Sequence, residues 1–331
     1  VYKRQGRVQL SIIAALSSPP QGEERMWFRN LQLYRLIETF GHTPESLHTA
    51  LEQQTFRPCA GLDSHSVGWV PPAGREASAL VHVANQRMMI CMRREDRILP
   101  SAVVREHVDE KAEAIAIAEA RPVGRKEKQR IKDEVITDLL PRAFTRSSHL
   151  YAYIDPEAGW VVVDSTTAKK AEELLSALRE ALGSLRVKPL AVSRAPSSVL
   201  TRWVESGPPG HFSLGDECEL KEPVDNGGIM RGRRIDLASA EVKSHLDAGM
   251  QVAKLAVEWR ERIGCILCDD LGIRRLRFLD LVMEEASEVE TDDALARFDA
   301  DFALMAMELA RFLPEVIEAY GGIDEDQSQR R

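Results

Sequence analysis

Arg231, Arg233 and Arg234 fall within four positions of GGIMRGRRIDL, in a chain whose formal net charge is −8. A guanidinium is a planar fork of donors that grips two oxygens of one phosphate or carboxylate. Two further clusters repeat this chemistry: Arg274, Arg275 and Arg277 in IRRLR, and Arg125, Lys126, Lys128 and Arg130 in RPVGRKEKQRIK. No zinc-finger spacing, zipper heptad or RNA-binding aromatic motif accompanies them. The expected partner is therefore a nucleic-acid backbone, gripped without regard to base sequence. Plainer readings stay open. RPVGRKEKQRIK can be a solvated helix face, and IRRLR, alternating along a strand, can divide its arginines between two faces and spend some in ion pairs. RGRR, on a strand-like segment after DNGG, has less reason to be mere solvation and is favoured for phosphate contact.

Catalytic constellations are sparse. The eight histidines are dispersed, with no HxxxH or HExxH pair to place two imidazoles on one helix face. Cys265 and Cys268 form an isolated CxxC in an apolar strand, where positions three apart point to opposite faces, so buried structural thiols are expected. Asp269, Asp270, Asp299 and Asp301 resemble the carboxylates of a metal-dependent nuclease, but Asp299 and Asp301 diverge by roughly 200° on a helix. They suit polar positions near a helix start, where negative charge is favourable. NGG and GPPG lack both the P-loop Lys-Ser/Thr and the full GxGxxG spacing. The sequence thus predicts no catalytic residue, cofactor or metal. A nuclease using the four aspartates is the alternative, and a scaffold whose basic patches bind acidic protein surfaces is a third reading.

The elements that must position these groups follow from periodicity. WFRNLQLYRL and ALVHVANQRMMICMRRE read as strands, joined through the turn-rich GWVPPAG. From Pro100 the period changes: SAVVREHVDEKAEAIAIAEAR and KEKQRIKDEVITDLL predict two helices joined by PVG, a hairpin projecting from the body. HLYAYIDPEAGWVVVDS predicts two strands, followed by a helix capped by Ser165 or Thr166. Further on, HFSLGDECEL and GGIMRGRRIDL precede a helix over 239–263, then strands GCILCDD and IRRLRFLD. The chain closes on a long apolar-faced helix with Pro314 as a kink site. The fold class is α+β, with mixed and antiparallel sheets, packed helices and a helical hairpin.

Composition sets the context. No apolar run reaches the roughly 18 residues of a membrane span, and five scattered cysteines argue against a secreted disulfide framework; a reducing cytoplasm is expected. From Glu284 onward the balance is −10, which leaves residues 1–283 at +2 and free to present basic surfaces. Residues 1–25 imitate a signal peptide without a convincing cleavage site, and Met26 is the better candidate start. The expected parts are a non-native leader (1–25), an N-terminal α+β part of a central body (26–99), a helical-hairpin tip (100–145), a β-hairpin plus helix of that body (146–200), a basic α+β base (201–283) and an acidic C-terminal helix and tail (284–331).

MWFRNLQLYRL, GWVPP, HVANQRMMIC, ILPSAVVREHV, KDEVITDLLPRAF, DSTTAKKAEELLSALREALGSL, FDADFALMAMELA and IEAYGG resemble, in order, the bacterial recombination-associated RdgC family, from about Met26 to Gly322. The resemblance implies a non-enzymatic, nucleoid-associated protein. It would form a ring-shaped homodimer, bind single- and double-stranded DNA without strong sequence preference, and restrain RecA-promoted strand exchange. It also implies that the hairpin is a tip that meets the partner subunit, with Phe144 at that contact unless Phe144 is an ordinary core residue. The arginines of RGRR would then face the hole.

Overall fold

The computed structural model describes residues 27–325 except 289, 290 and 292, so the leader and the last residues of the acidic tail lie outside the described residues. In chain order the elements are β1 (Leu31–Leu36), α1 (Pro44–Glu52), β2 (His65–Val70), β3 (Val81–Ala84), β4 (Arg87–Ile98), α2 (Ser101–Glu119), α3 (Arg125–Leu139), β5 (Phe144–Asp155), β6 (Trp160–Asp164), α4 (Ala168–Leu182), β7 (Val187–Pro189), α5 (Pro196–Ser206), β8 (Phe212–Lys221), β9 (Ile229–Arg233), α6 (Ala240–Asp247), β10 (Gln251–Trp259), β11 (Ile263–Cys268), β12 (Ile273–Phe278), α7 (Asp280–Ser287) and α8 (Ala294–Ala319). Among them no helix is long and apolar enough to cross a membrane.

All twelve strands join one antiparallel sheet in the order β2-β4-β5-β6-β1-β12-β11-β10-β8-β9, with β3 on β4 and β7 on β1. The halves meet where Leu31 opposes Ile273 and the Leu276 amide donates to the Arg29 carbonyl at 2.8 Å. In the first half both faces are covered. Leu31 and Leu33 pack with α8 through Phe302, Met305 and Leu309, while Tyr34 turns to the other side, where α1 and α4 supply Leu47, Leu51, Leu174 and Leu178. That double cover makes β1 buried at its first four positions, rather than apolar on one face only. In the second half α5, α6, α7 and α8 bury their apolar residues in one core with Val252, Leu255, Val257 and Trp259. Lys254 and Glu258, which alternate with that inward set, stand on the opposite face.

The helix expected over 239–263 is α6 followed by β10. Gly249, at φ +91°, ends the helical stretch, and QVAKLAVEW buries Leu255, Val257 and Trp259 at alternate positions as a strand. The α4 cap is Thr167, whose Oγ1 accepts the Lys170 amide, while Ser165 supports it by donating its hydroxyl to the Thr167 carbonyl. Helix α8 continues through Pro314 as one element. Its acidic residues are partly internal: Glu308 is fully buried against Arg262, so part of the C-terminal negative charge neutralises the body.

β4 and β5 are each twelve residues long, about 40 Å at a rise of about 3.3 Å per residue. Along β5, β6 pairs with Ala152–Asp155, so the Phe144 end of the ribbon extends beyond it and carries the helical hairpin. Val104, Val108 and Ala112 on α2 meet Ile131 and Val135 on α3 in a small separate core, at the spacing of one helix face.

Candidate nucleic-acid interface

Among the described residues, the helices of the second half pack with the inward set of the sheet; the side chains on the outward face of β8–β12 follow from register. Glu217 opposes Arg233 and Glu219 opposes Arg231 across β8 and β9, while Lys254 opposes Glu219 across β10. Farther along, Glu258 opposes Gly264, which in turn opposes Arg277, and Ile266 opposes Arg274. Arg274 and Arg277 share a face although they are three apart, because the β11–β12 register shifts between them. The extra residue is Arg275, at φ +49°, and its guanidinium reaches Glu217. The arginines of IRRLR are therefore not divided between two faces as strict alternation predicts. The apolar spacing of Ile273, Leu276 and Phe278, three and then two, was the sequence signal for the bulge.

RGRR and IRRLR, forty residues apart in sequence, are thereby brought to one surface. Arg233, Arg234, Arg275 and Arg277 line a cleft with Glu217, Glu258 and a floor of Gly215, Ala256 and Ile266. Gly215 belongs there for steric reasons, since a Cβ would lie 2.9 Å from the Ala256 Cβ. Arg234 as well as Arg275 adopts the left-handed backbone region (φ +55°), which costs a non-glycine residue about 1–2 kcal/mol. Strain of this kind clusters at functional sites.

Carboxylates hold most of these cations. Glu217 Oε1 accepts from Arg233 Nε at 3.1 Å and from Arg275 Nη2; Glu219 accepts from Arg231 Nε at 2.7 Å and from Lys254 Nζ at 2.9 Å. Burial pushes the Glu217 carboxyl up, but the Arg275 hydrogen bond and the Arg275 and Arg233 charges outweigh it and hold the group below its ordinary range. Glu219 is lowered the same way: Lys254 and Arg231 override its desolvation. Arg274 pairs with Asp270. Arg234 and Arg277, both exposed, make no ion pair among the described residues. The sequence reading missed Glu217, Glu219 and Lys254. The signal was there: two acids two apart in DECEL face two arginines two apart in RGR, as an antiparallel pair requires.

The hairpin cluster lies elsewhere, on α3, beyond β5. Lys128 pairs with Asp109 and Arg130 approaches Glu134 at 3.9 Å. Arg125 and Lys126, at the start of α3, have no ion pair among the described residues. Phe144 opens β5 opposite Ile98 and is 85% exposed, so it is not a core residue of this chain.

The nuclease quartet is not assembled. Asp269 and Asp270 lie in the β11–β12 turn, with Asp270 held by Arg274 and by the Gly272 amide at 3.0 Å. On α8, Asp299 bonds His82 Nε2 at 2.9 Å and Asp301 is buried. Among the described residues no three His, Cys, Asp or Glu side chains converge as metal ligands. Cys265 opposes inward Val257 and Cys268 opposes outward Lys254; both are buried free thiols, and burial pushes Cys268 up to about 12.

Residues 26–323 match the family described as "Putative exonuclease, RdgC". Relatives named recombination-associated protein RdgC include that of Tolumonas auensis, 43% identical over 298 residues, covering 90% of this chain and 99% of the relative. That of Pseudomonas aeruginosa is 45% identical over 299 residues (90% and 98%), and that of Salmonella paratyphi B 42% over 298 (90% and 98%). With a match running from before β1 to beyond α8, the chain belongs to the RdgC recombination-associated family.

Proposed function

We propose that this protein binds the phosphate backbone of single- and double-stranded DNA, without sequence preference, on the outward face of β8–β12. The observation that carries this reading is the convergence of Arg231, Arg233, Arg234, Arg274, Arg275 and Arg277 on one outward sheet face. A guanidinium array spread over β9 and β12 suits a repeating anion better than an isolated small ligand. The family's recombination-associated name supports a DNA partner. The wider reading is a ring-shaped homodimer, cytoplasmic and nucleoid-associated, that encloses DNA and restrains RecA-dependent recombination. Its tip contact would be the hairpin with exposed Phe144. The boundaries at 99/100, 145/146, 200/201 and 283/284 belong to the same reading.

The exonuclease in the family description has no counterpart in the placement of the four aspartates, so binding rather than cleavage is proposed. Purified protein incubated with end-labelled duplex and single strand, with magnesium or manganese, tests both. Retention of full-length DNA in a complex, with no difference between unrelated sequences, is the expected result. Shortened DNA that depends on Asp269 or Asp299 would overturn it.

A further inference from the structure

Glu217 and Glu219 stand out because each, from β8, bridges cations of two other strands on an otherwise basic face. Glu217 joins Arg233 of β9 to Arg275 of β12, and Glu219 joins Arg231 of β9 to Lys254 of β10. Both are mostly buried, with side-chain exposures of 22% and 15%, whereas the arginines they hold are 54–72% exposed. The carboxylates thus sit low in the face and the guanidiniums lean over them. To a guanidinium a carboxylate and a phosphate offer the same pair of acceptor oxygens. A phosphodiester approaching from solvent meets fork donors already engaged, and two fixed negative charges lie behind them.

We propose that Glu217 and Glu219 are internal competitors of the DNA backbone, which seat Arg231, Arg233, Lys254 and Arg275 in binding geometry and lower the affinity by having to be displaced. The inference rests on the reading of this face as phosphate-binding. It explains why backbone strain at Arg275 is tolerated: the bulge is what lets a β12 arginine reach the Glu217 of β8. It also separates the cations into two kinds. Arg234 and Arg277, outside the carboxylate bridges, are open to a first phosphate contact, and the bridged four follow when the carboxylates release them.

The test is the affinity of Glu217→Gln/Glu219→Gln for a fluorescein-labelled duplex, by anisotropy at neutral pH and moderate salt. It is compared with wild type, with Arg231→Ala/Arg233→Ala/Arg234→Ala, and with Glu76→Gln/Glu205→Gln, which makes the same charge change at exposed positions off this face. Glutamine keeps an acceptor oxygen and the shape but removes the competing charge, so binding is expected to tighten about tenfold, as weak exposed ion pairs are lost to stronger phosphate contacts. The Glu76/Glu205 variant is expected to stay within about twofold of wild type, since distant exposed charges are screened. Each single Gln variant is expected to give part of the gain, and serves if the double variant does not fold by circular dichroism. A folded Glu217/Glu219 variant no tighter than wild type, or an equal gain in the control, overturns the inference. If the arginine variant loses affinity in the same experiment, the phosphate-binding face survives and only the competitor role falls. If the arginine variant binds like wild type, the face itself is refuted, and the inference with it.

Discussion

Arg275 separates the mechanical role of the bulge from the electrostatic role of the side chain. At φ +49° a glycine avoids the strain of about 1–2 kcal/mol that any residue with a Cβ incurs there, but loses about 0.5–1 kcal/mol through its freer unfolded chain. Arg275→Gly should therefore be about 0.5–1 kcal/mol more stable than Arg275→Ala. Both lose the half-exposed Glu217 pair, worth roughly 0.2–1 kcal/mol. Arg275→Gly is thus expected within about 1 kcal/mol of wild type, and Arg275→Ala is the least stable of the three. DNA binding should follow a different order, with both variants equally impaired and each showing a log–log salt dependence shallower by about 0.9 per chain, the value of one lost phosphate contact. Urea unfolding midpoints and anisotropy across a salt series read the two effects separately. A glycine variant less stable than the alanine variant would refute the left-handed bulge, and a glycine variant with the wild-type salt slope would refute the phosphate contact.

Phe144→Ala should leave the melting temperature of the chain nearly unchanged, because the ring is exposed, yet weaken a homodimer by about 2–4 kcal/mol if it anchors an interface; analytical ultracentrifugation across concentration checks this. The Glu217 and Glu219 carboxyls are held below their ordinary range, so their stabilisation is fully present above the unfolded value of about 4.3 and is lost as pH falls through the depressed folded values. The unfolding midpoint of wild type should accordingly converge on that of Glu217→Gln/Glu219→Gln only below about pH 4. Gly215→Val should disturb the cleft floor and destabilise by about 1–3 kcal/mol, because its Cβ would press on Ala256; thermal melts measure it.

Strong periodicity was readable in the chain. The hairpin helices announce themselves by apolar residues four apart, Val104, Val108 and Ala112, and β11 by a short apolar run before a turn. α6 and β10 were not separable by composition, because VAKLAVEW satisfies helical and strand spacing alike and only Gly249 marks the break. The basic residues were visible, but their arrangement was not. Whether Arg274, Arg275 and Arg277 share a face depends on one bulge, and whether RGRR meets IRRLR depends on a sheet order of β12-β11-β10-β8-β9 that no local pattern encodes. The bridging carboxylates were legible only once β8 and β9 were placed side by side.

The most direct test of the phosphate-binding face is the salt dependence of DNA affinity for Arg231→Ala/Arg233→Ala/Arg234→Ala against wild type. It is measured on two unrelated duplexes and one single strand, with circular dichroism as the folding control. Removal of three contacts per chain should flatten the duplex slope by about 2.7 for each chain that engages the DNA, equally for both sequences, so that from 50 to 200 mM salt the wild type loses at least about 40-fold more affinity than the variant. A folded variant with the wild-type slope would contradict the account and move the phosphate grip to Arg125 and Lys126 at the start of α3.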